Sequence, residues 1–194
     1  MRWRGALVVA FSVLTACAGD STFGGYPAVH GEHGSDADIA AIRAAVPKLV
    51  ALSRDLGNEH STVNTPEPDR QAALTAAEAQ LPAQVAAIYT PSAVSGVVES
   101  ETELIEQARR DPNILRWQTV RFDIDHWQGI RVDRDQATVS VSASYAYAGV
   151  QPSPYFSFPE SGGWSEERAS NFNITLARSA SGWLLVSVAN QINF

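Results

Sequence analysis

The chain has 194 residues, is 45% hydrophobic, and carries 14 basic against 21 acidic residues for a formal net charge of −7. That length is enough for one domain with a sizeable core, and a single cysteine leaves no thiol for an intrachain disulfide, so the fold rests on that core. The acid excess argues against nucleic-acid binding, because phosphate contacts need clustered Lys and Arg.

In chain order, residues 1–16 read as a secretory signal. Arg2 and Arg4 form a positive start, and Gly5 to Leu14 form an apolar run of about 10 residues, too short to span a bilayer. Leu14-Thr15-Ala16-Cys17 follows directly. This arrangement resembles the lipobox of bacterial lipoproteins. The resemblance implies a diacylglycerol on the Cys17 thiol, cleavage just before it, and usually an acyl chain on the new amine. Each buried methylene contributes about 0.8 kcal/mol and a single chain binds only marginally, so two or three chains anchor stably. The plain alternative is an ordinary signal with a chance cysteine. The implied location is the cell envelope, on the periplasmic or extracytoplasmic face. In a Gram-negative cell the outer membrane is favoured, since Ala18 rather than Asp follows the cysteine. Cleavage removes Arg2 and Arg4 and no acid, leaving 12 basic against 21 acidic residues, a formal −9. Anionic headgroups repel such a domain.

Residues 17–35 are rich in Gly and small polar residues and read as a flexible tether, with a span of roughly 20–25 Å. His30, Glu32 and His33 are metal-capable types but lack helical i, i+4 spacing, so no metal is expected. The folded domain is expected over 36–194. Ser35 or Asp36 is a good N-cap. Ile39, Ile42, Val46, Leu49, Val50 and Leu56 then follow helical spacing, with a kink at Pro47 and an end at Gly57. Residues 58–68 read as a loop in which His60 stands alone and solvated. A second helix is expected from about Asp69 to Tyr89, broken near Pro82, and a short third from Glu101 to Arg110. From Leu115 the period changes to two. Strands are expected over 120–125, 137–147, 164–178 and 183–192. A turn at 131–136, a long Pro-, Ser- and Gly-rich loop at 149–163 and a hairpin turn at 179–182 separate them. The order predicts an α+β domain, N-terminal helices packed on one face of a strongly curved antiparallel sheet.

Several segments are similar to the nuclear transport factor 2-like, or SnoaL-like, superfamily. Ala87-Ile88-Tyr89-Thr90-Pro91-Ser92-Ala93-Val94 resembles its helix end and turn, and Glu101 to Gln107 its following short helix. Val120 to Asp125 and Ala137 to Tyr147 resemble its strands, and Asn173 to Arg178 with Gly182 to Val186 its closing hairpin. The resemblance implies a cone-shaped, cystatin-like fold with a pocket at the wide end, and in the enzymes of the family a buried carboxylate with a His or Tyr. No cofactor is expected, since the sequence has neither a glycine-rich phosphate loop nor zinc-ligand spacing. Here Ser92 stands where the turn commonly has Asp, and Ser95-Gly96-Val97-Val98 holds no acid where the steroid isomerases place their base. Glu99 is the nearest acid.

Phe122-Asp123-Ile124-Asp125-His126-Trp127 is the densest polar and aromatic cluster. Strict alternation puts Asp123 and Asp125 on one face and His126 on the face of Val120, Phe122 and Ile124. Facing a pocket, His126 could act as an acid–base group beside Asp123 or Asp125. The ordinary reading is two solvated carboxylates and a histidine capping the strand end. Tyr155, Phe156 and Phe158, in the long loop, either cover the open end of the cone or present a surface to a ligand or partner. Phe172, Ile174 and Leu176 are candidates for a homodimer face. The expected function is a membrane-anchored envelope lipoprotein whose non-catalytic cone binds a small apolar ligand or an envelope protein. The alternative is a lyase or isomerase built on His126.

Overall fold

The computed structural model describes residues 28–62, 65–111, 117–149 and 164–190. The chain forms a short strand β1 (Gly31–His33), helices α1 (Asp36–Glu59), α2 (Glu67–Ile88) and α3 (Pro91–Arg110), and strands β2 (Trp117–Asp133), β3 (Gln136–Gly149), β4 (Trp164–Ser179) and β5 (Gly182–Asn190). It is the expected α+β architecture, with helices on one face of a curved, unclosed sheet. None of the described helices is long and apolar enough to cross a membrane.

Local chemistry accounts for the helix starts. The Ser35 hydroxyl accepts the Asp38 amide at 3.1 Å, and Asp36 and Asp38 lie in the first turn of α1, where an acid is favoured by the helix dipole. Arg178 and then the Ser35 hydroxyl bond the Asp38 carboxyl and hold its pKa below the ordinary value. Helix α1 runs through Gly57 to Glu59. Helix α2 runs unbroken through Pro82, which is exposed, while Leu74, Leu81, Val85 and Ile88 stay in phase on the buried side. A proline facing water costs a backbone bond without displacing that stripe. Helix α3 begins ten residues earlier than expected. Pro91 occupies a first-turn position, where its fixed φ suits a helix, and Ala93 and Val94 bond back to the Thr90 carbonyl. Gly96 and the valines around it are weak helix formers, but burial of Ala93 and Val97 outweighs that preference.

The sheet order is β1-β2-β3-β4-β5, antiparallel except for the parallel β1–β2 pair. Strand β2 has three register shifts against β3, at Thr119/Arg121, Ile124/His126 and Trp127/Gly129. Each extra residue bends and twists the strand, which is how a sheet curls over helices. Val139, Val141, Ala143 and Tyr145 of β3 and Phe172, Ile174 and Leu176 of β4 line the inner face. Phe122, Tyr145 and Phe172 form a ring cluster with centroids 5.5–6.2 Å apart. The sequence expectation for Phe172, Ile174 and Leu176 is therefore corrected. All three are 0% exposed within the single chain, so they belong to its core and are not a free dimer face.

Residues 28–35, expected to belong to a flexible tether, pack on the sheet instead. Val29 is buried and its amide donates to the Ser140 hydroxyl at 2.8 Å, while β1 pairs with Gly129 to Arg131 of β2. Ser140 points away from the helices, opposite to Val139 and Val141. From Val29 on the outer sheet face, the chain wraps the β2 edge and enters α1 on the inner side. Gly129 makes this approach possible: a Cβ there would lie 2.5 Å from the Val29 carbonyl oxygen. At the far end of α1 the Asn58 amide donates to the Thr119 carbonyl at 2.9 Å and accepts the Thr119 amide at 2.8 Å, substituting for a strand partner at the β2 edge.

Candidate functional site

His126 does not share the face of Phe122 and Ile124. Ile124 pairs with Ala143 on the inner face, but the next paired residue is His126 against Ser142, on the outer face. Asp125 is the extra residue of the bulge. Beyond it Trp127 takes the inward position opposite Val141, and His126 is exposed. Asp125 accepts a bond from the Ser144 hydroxyl, and Asp123 lies 3.2 Å from Arg121 with its side chain 61% exposed. Alternation alone reverses the side of His126, because it counts a residue that the bulge leaves out of the pairing. Cys17, Tyr155, Phe156 and Phe158 lie outside the described residues.

The described interior holds a different acid–base pair, His60 and Glu101. His60 is the C-cap of α1. Glu101 falls on the buried stripe of α3 with Val97, Leu104, Ile105 and Ala108. The His60 Nδ1 is 3.0 Å from the Glu101 carboxylate, and the two side chains are 1% and 2% exposed. The expectation of a solvated His60 is thus corrected: the turn that ends α1 folds its ring inward against α3. An isolated charge here would be very costly, so each group depends on the other.

His60 Nε2 and the second oxygen of Glu101 are buried without a hydrogen-bond partner. The Gln84 carbonyl oxygen is also unpartnered, although its amide nitrogen bonds Glu59, the neighbour of His60. A carboxylate on one imidazole nitrogen fixes the ring and leaves the other for a proton or a metal. In this chain that other nitrogen is sealed from solvent. No group of three or more His, Cys, Asp or Glu among the described residues could hold a metal ion. The arrangement is one of a buried polar tie between α1 and α3. Its sequence signal was an acid inside the apolar stripe of α3, whereas nothing in the periodicity marked His60.

A buried arginine works elsewhere in the helical layer. Arg70, 4% exposed in the first turn of α2, donates to the carbonyls of Ala108 and Asp111 and so caps the C-terminus of α3. A cation is favoured at that end of the helix dipole. Arg70→Met retains the apolar stem and removes these bonds. It is expected to lower stability by about 1–3 kcal/mol in urea unfolding; an unchanged midpoint would show that the cap contributes nothing.

No protein-family model matches this chain, and no curated protein matches it. Solved structures do. The intermembrane space region of the chloroplast protein ARC6 is 11% identical, with 77% of this chain and 96% of that one covered at a TM-score of 0.43. The Kfla4162 protein from Kribbella flavida is 13% identical, with 81% and 94% covered at 0.43. An NTF2-like protein with a cystatin-like fold from Novosphingobium aromaticivorans is 12% identical, with 80% and 88% covered at 0.31.

Proposed function

We propose that this chain is a lipid-anchored protein of the cell envelope whose α+β domain is a binding module and not an enzyme. The observation that carries the anchor is Cys17 in Leu14-Thr15-Ala16-Cys17, directly after a short apolar run with Arg2 and Arg4 before it. Two features support a non-catalytic domain. His126, Asp123 and Asp125 are exposed on the solvent side of β2, where an acid–base group gains no desolvation. Among the described residues, the buried acid–base pair His60 with Glu101 has side chains only 1% and 2% exposed, which leaves no face open to a substrate. Tyr155, Phe156 and Phe158, clustered in a Pro- and Ser-rich stretch of sequence, are the proposed contacts for a small apolar ligand or an envelope protein.

Metabolic labelling with a clickable palmitate analogue tests the anchor. The parent protein should be labelled and sediment with membranes, and Cys17→Ser should lose the label and appear in the soluble fraction. A Cys17→Ser variant that keeps the label, or a parent that never acquires it, would overturn this reading.

A further inference from the structure

The two edges of the sheet are built differently. At the β2 edge, β1 pairs with Gly129 to Arg131, and the Asn58 side chain takes both backbone groups of Thr119. Strand β2 itself carries Arg121, Asp123, Asp125, Arg131 and Asp133, and three register shifts interrupt it. Charges, bulges and covering segments are the means by which an edge strand avoids pairing with another chain.

The β5 edge has few of these protections. Its residues, Gly182–Asn190, include no charge and no proline, and its pairing with β4 has a single register shift, between Thr175 and Leu176. Among the described residues its open side is met at one point, a parallel bridge from Tyr89 to Leu185 in which the Thr90 amide donates to the Leu185 carbonyl at 2.8 Å. Beyond Leu185, Val188 is buried on the inner face, while Ser187 and Ala189 are half-buried on the outer one.

The surroundings are uncharged too. Residues 79–98, from the end of α2 through the first two turns of α3, contain no Asp, Glu, Lys or Arg, and neither do residues 179–190. The Thr90–Leu185 bond joins these two stretches. Copies of a chain with 21 acidic and 14 basic residues repel one another overall, and they approach with the least repulsion along such a neutral border. A two-fold axis would set β5 antiparallel to itself, so the same uncharged strand supplies the matching backbone groups and no charge is buried. A partner that reads its target through charged side chains finds no counter-charge there.

We propose that β5 pairs with β5 of a second copy of this chain, joining the two sheets edge to edge through residues 186–190. The proposal does not depend on acylation of Cys17. So short a contact falls below the standard interface of ~1,600 Å², which places the association at about 10–100 μM. Sedimentation equilibrium of the full chain in density-matched detergent, with micelles in excess, should show a dimer in that range. The pair Ser187→Lys and Ala189→Lys sets like charges across the two-fold axis and should weaken the dimer by about tenfold or more. Thr138→Lys, on the outer face of β3 and two strands in from the edge, should leave it unchanged. A monomer throughout the range overturns the proposal. So does a dimer that survives the lysine pair, or one that Thr138→Lys abolishes, which would place the contact on the sheet face. Hydrogen exchange on the unsubstituted protein tests the same point without a variant. Amides within residues 186–190 should gain protection as the protein concentration rises, and protection independent of concentration overturns the pairing.

Discussion

Glu101→Leu is expected to destabilise the protein by about 3–5 kcal/mol, because it leaves the His60 ring buried without its partner. His60→Leu should cost a similar amount by stranding the Glu101 carboxylate. The double replacement should be far milder than either single one, since two apolar side chains of similar volume need no hydrogen bonds in a site that is 1–2% exposed. The coupling between the two positions is then large and of opposite sign to the single effects. Urea unfolding at constant m-value measures all three. Additive losses would show that the two groups do not support each other, and single losses below ~1 kcal/mol would mean that the site is wetter than its geometry implies. Where a single variant is too unstable to unfold cooperatively, recovery of a sharp transition in the double variant carries the same information.

Gly129→Val should release the strap, residues 29–33, that lies against it. The new Cβ would lie 2.5 Å from the Val29 oxygen and 2.7 Å from the Gly31 oxygen, both backbone atoms that cannot turn aside as a side chain could. Lifting the strap forfeits the Val29–Ser140 bond, the pairing of β1 and the burial of Val29. Overpacking of this kind costs about 1–3 kcal/mol, and exposing a valine adds about 1.5 kcal/mol or more. The loss should be local. Amides of Val29 to His33 should exchange quickly in the variant, while those of β3 and β4 keep their protection. Slow exchange at Val29 in the variant would mean that the strand and strap shift together and that the close approach is not obligatory.

Much of the architecture was legible in the residue pattern. The spacing of Ile39, Ile42, Val46, Leu49 and Leu56 placed α1, and the change from a helical period to alternation near residue 115 placed the helices before the sheet. The turn expected at 131–136 is narrower, because β2 runs on to Asp133 and β3 starts at Gln136, while the turn at 179–182 joins β4 to β5 as expected. The early start of α3 was missed because its first turns hold Gly and β-branched residues, and burial decided in favour of helix there. Strand β1 was missed because three residues, Gly31-Glu32-His33, carry no period of their own and are a strand only by pairing with β2.

By itself, then, the chain's hydrophobic periodicity determined which residues share a side of each helix or strand, and so the α+β class. The lone Cys17 after an apolar run determined the expectation of an anchor. The tertiary structure decided what each side faces. Phe172, Ile174 and Leu176 alternate whether they meet helices or a second subunit, and packing assigned them to the core. His126 stands outward because β2 bulges at Asp125 to curve around the helices, a demand that arises only between strands. His60 and Glu101, 41 residues apart, meet because α1 ends beside the middle of α3. Periodicity is a property of neighbours along the chain, whereas bulges, buried polar pairs and the route of a strap are set by groups that approach only once the layers pack.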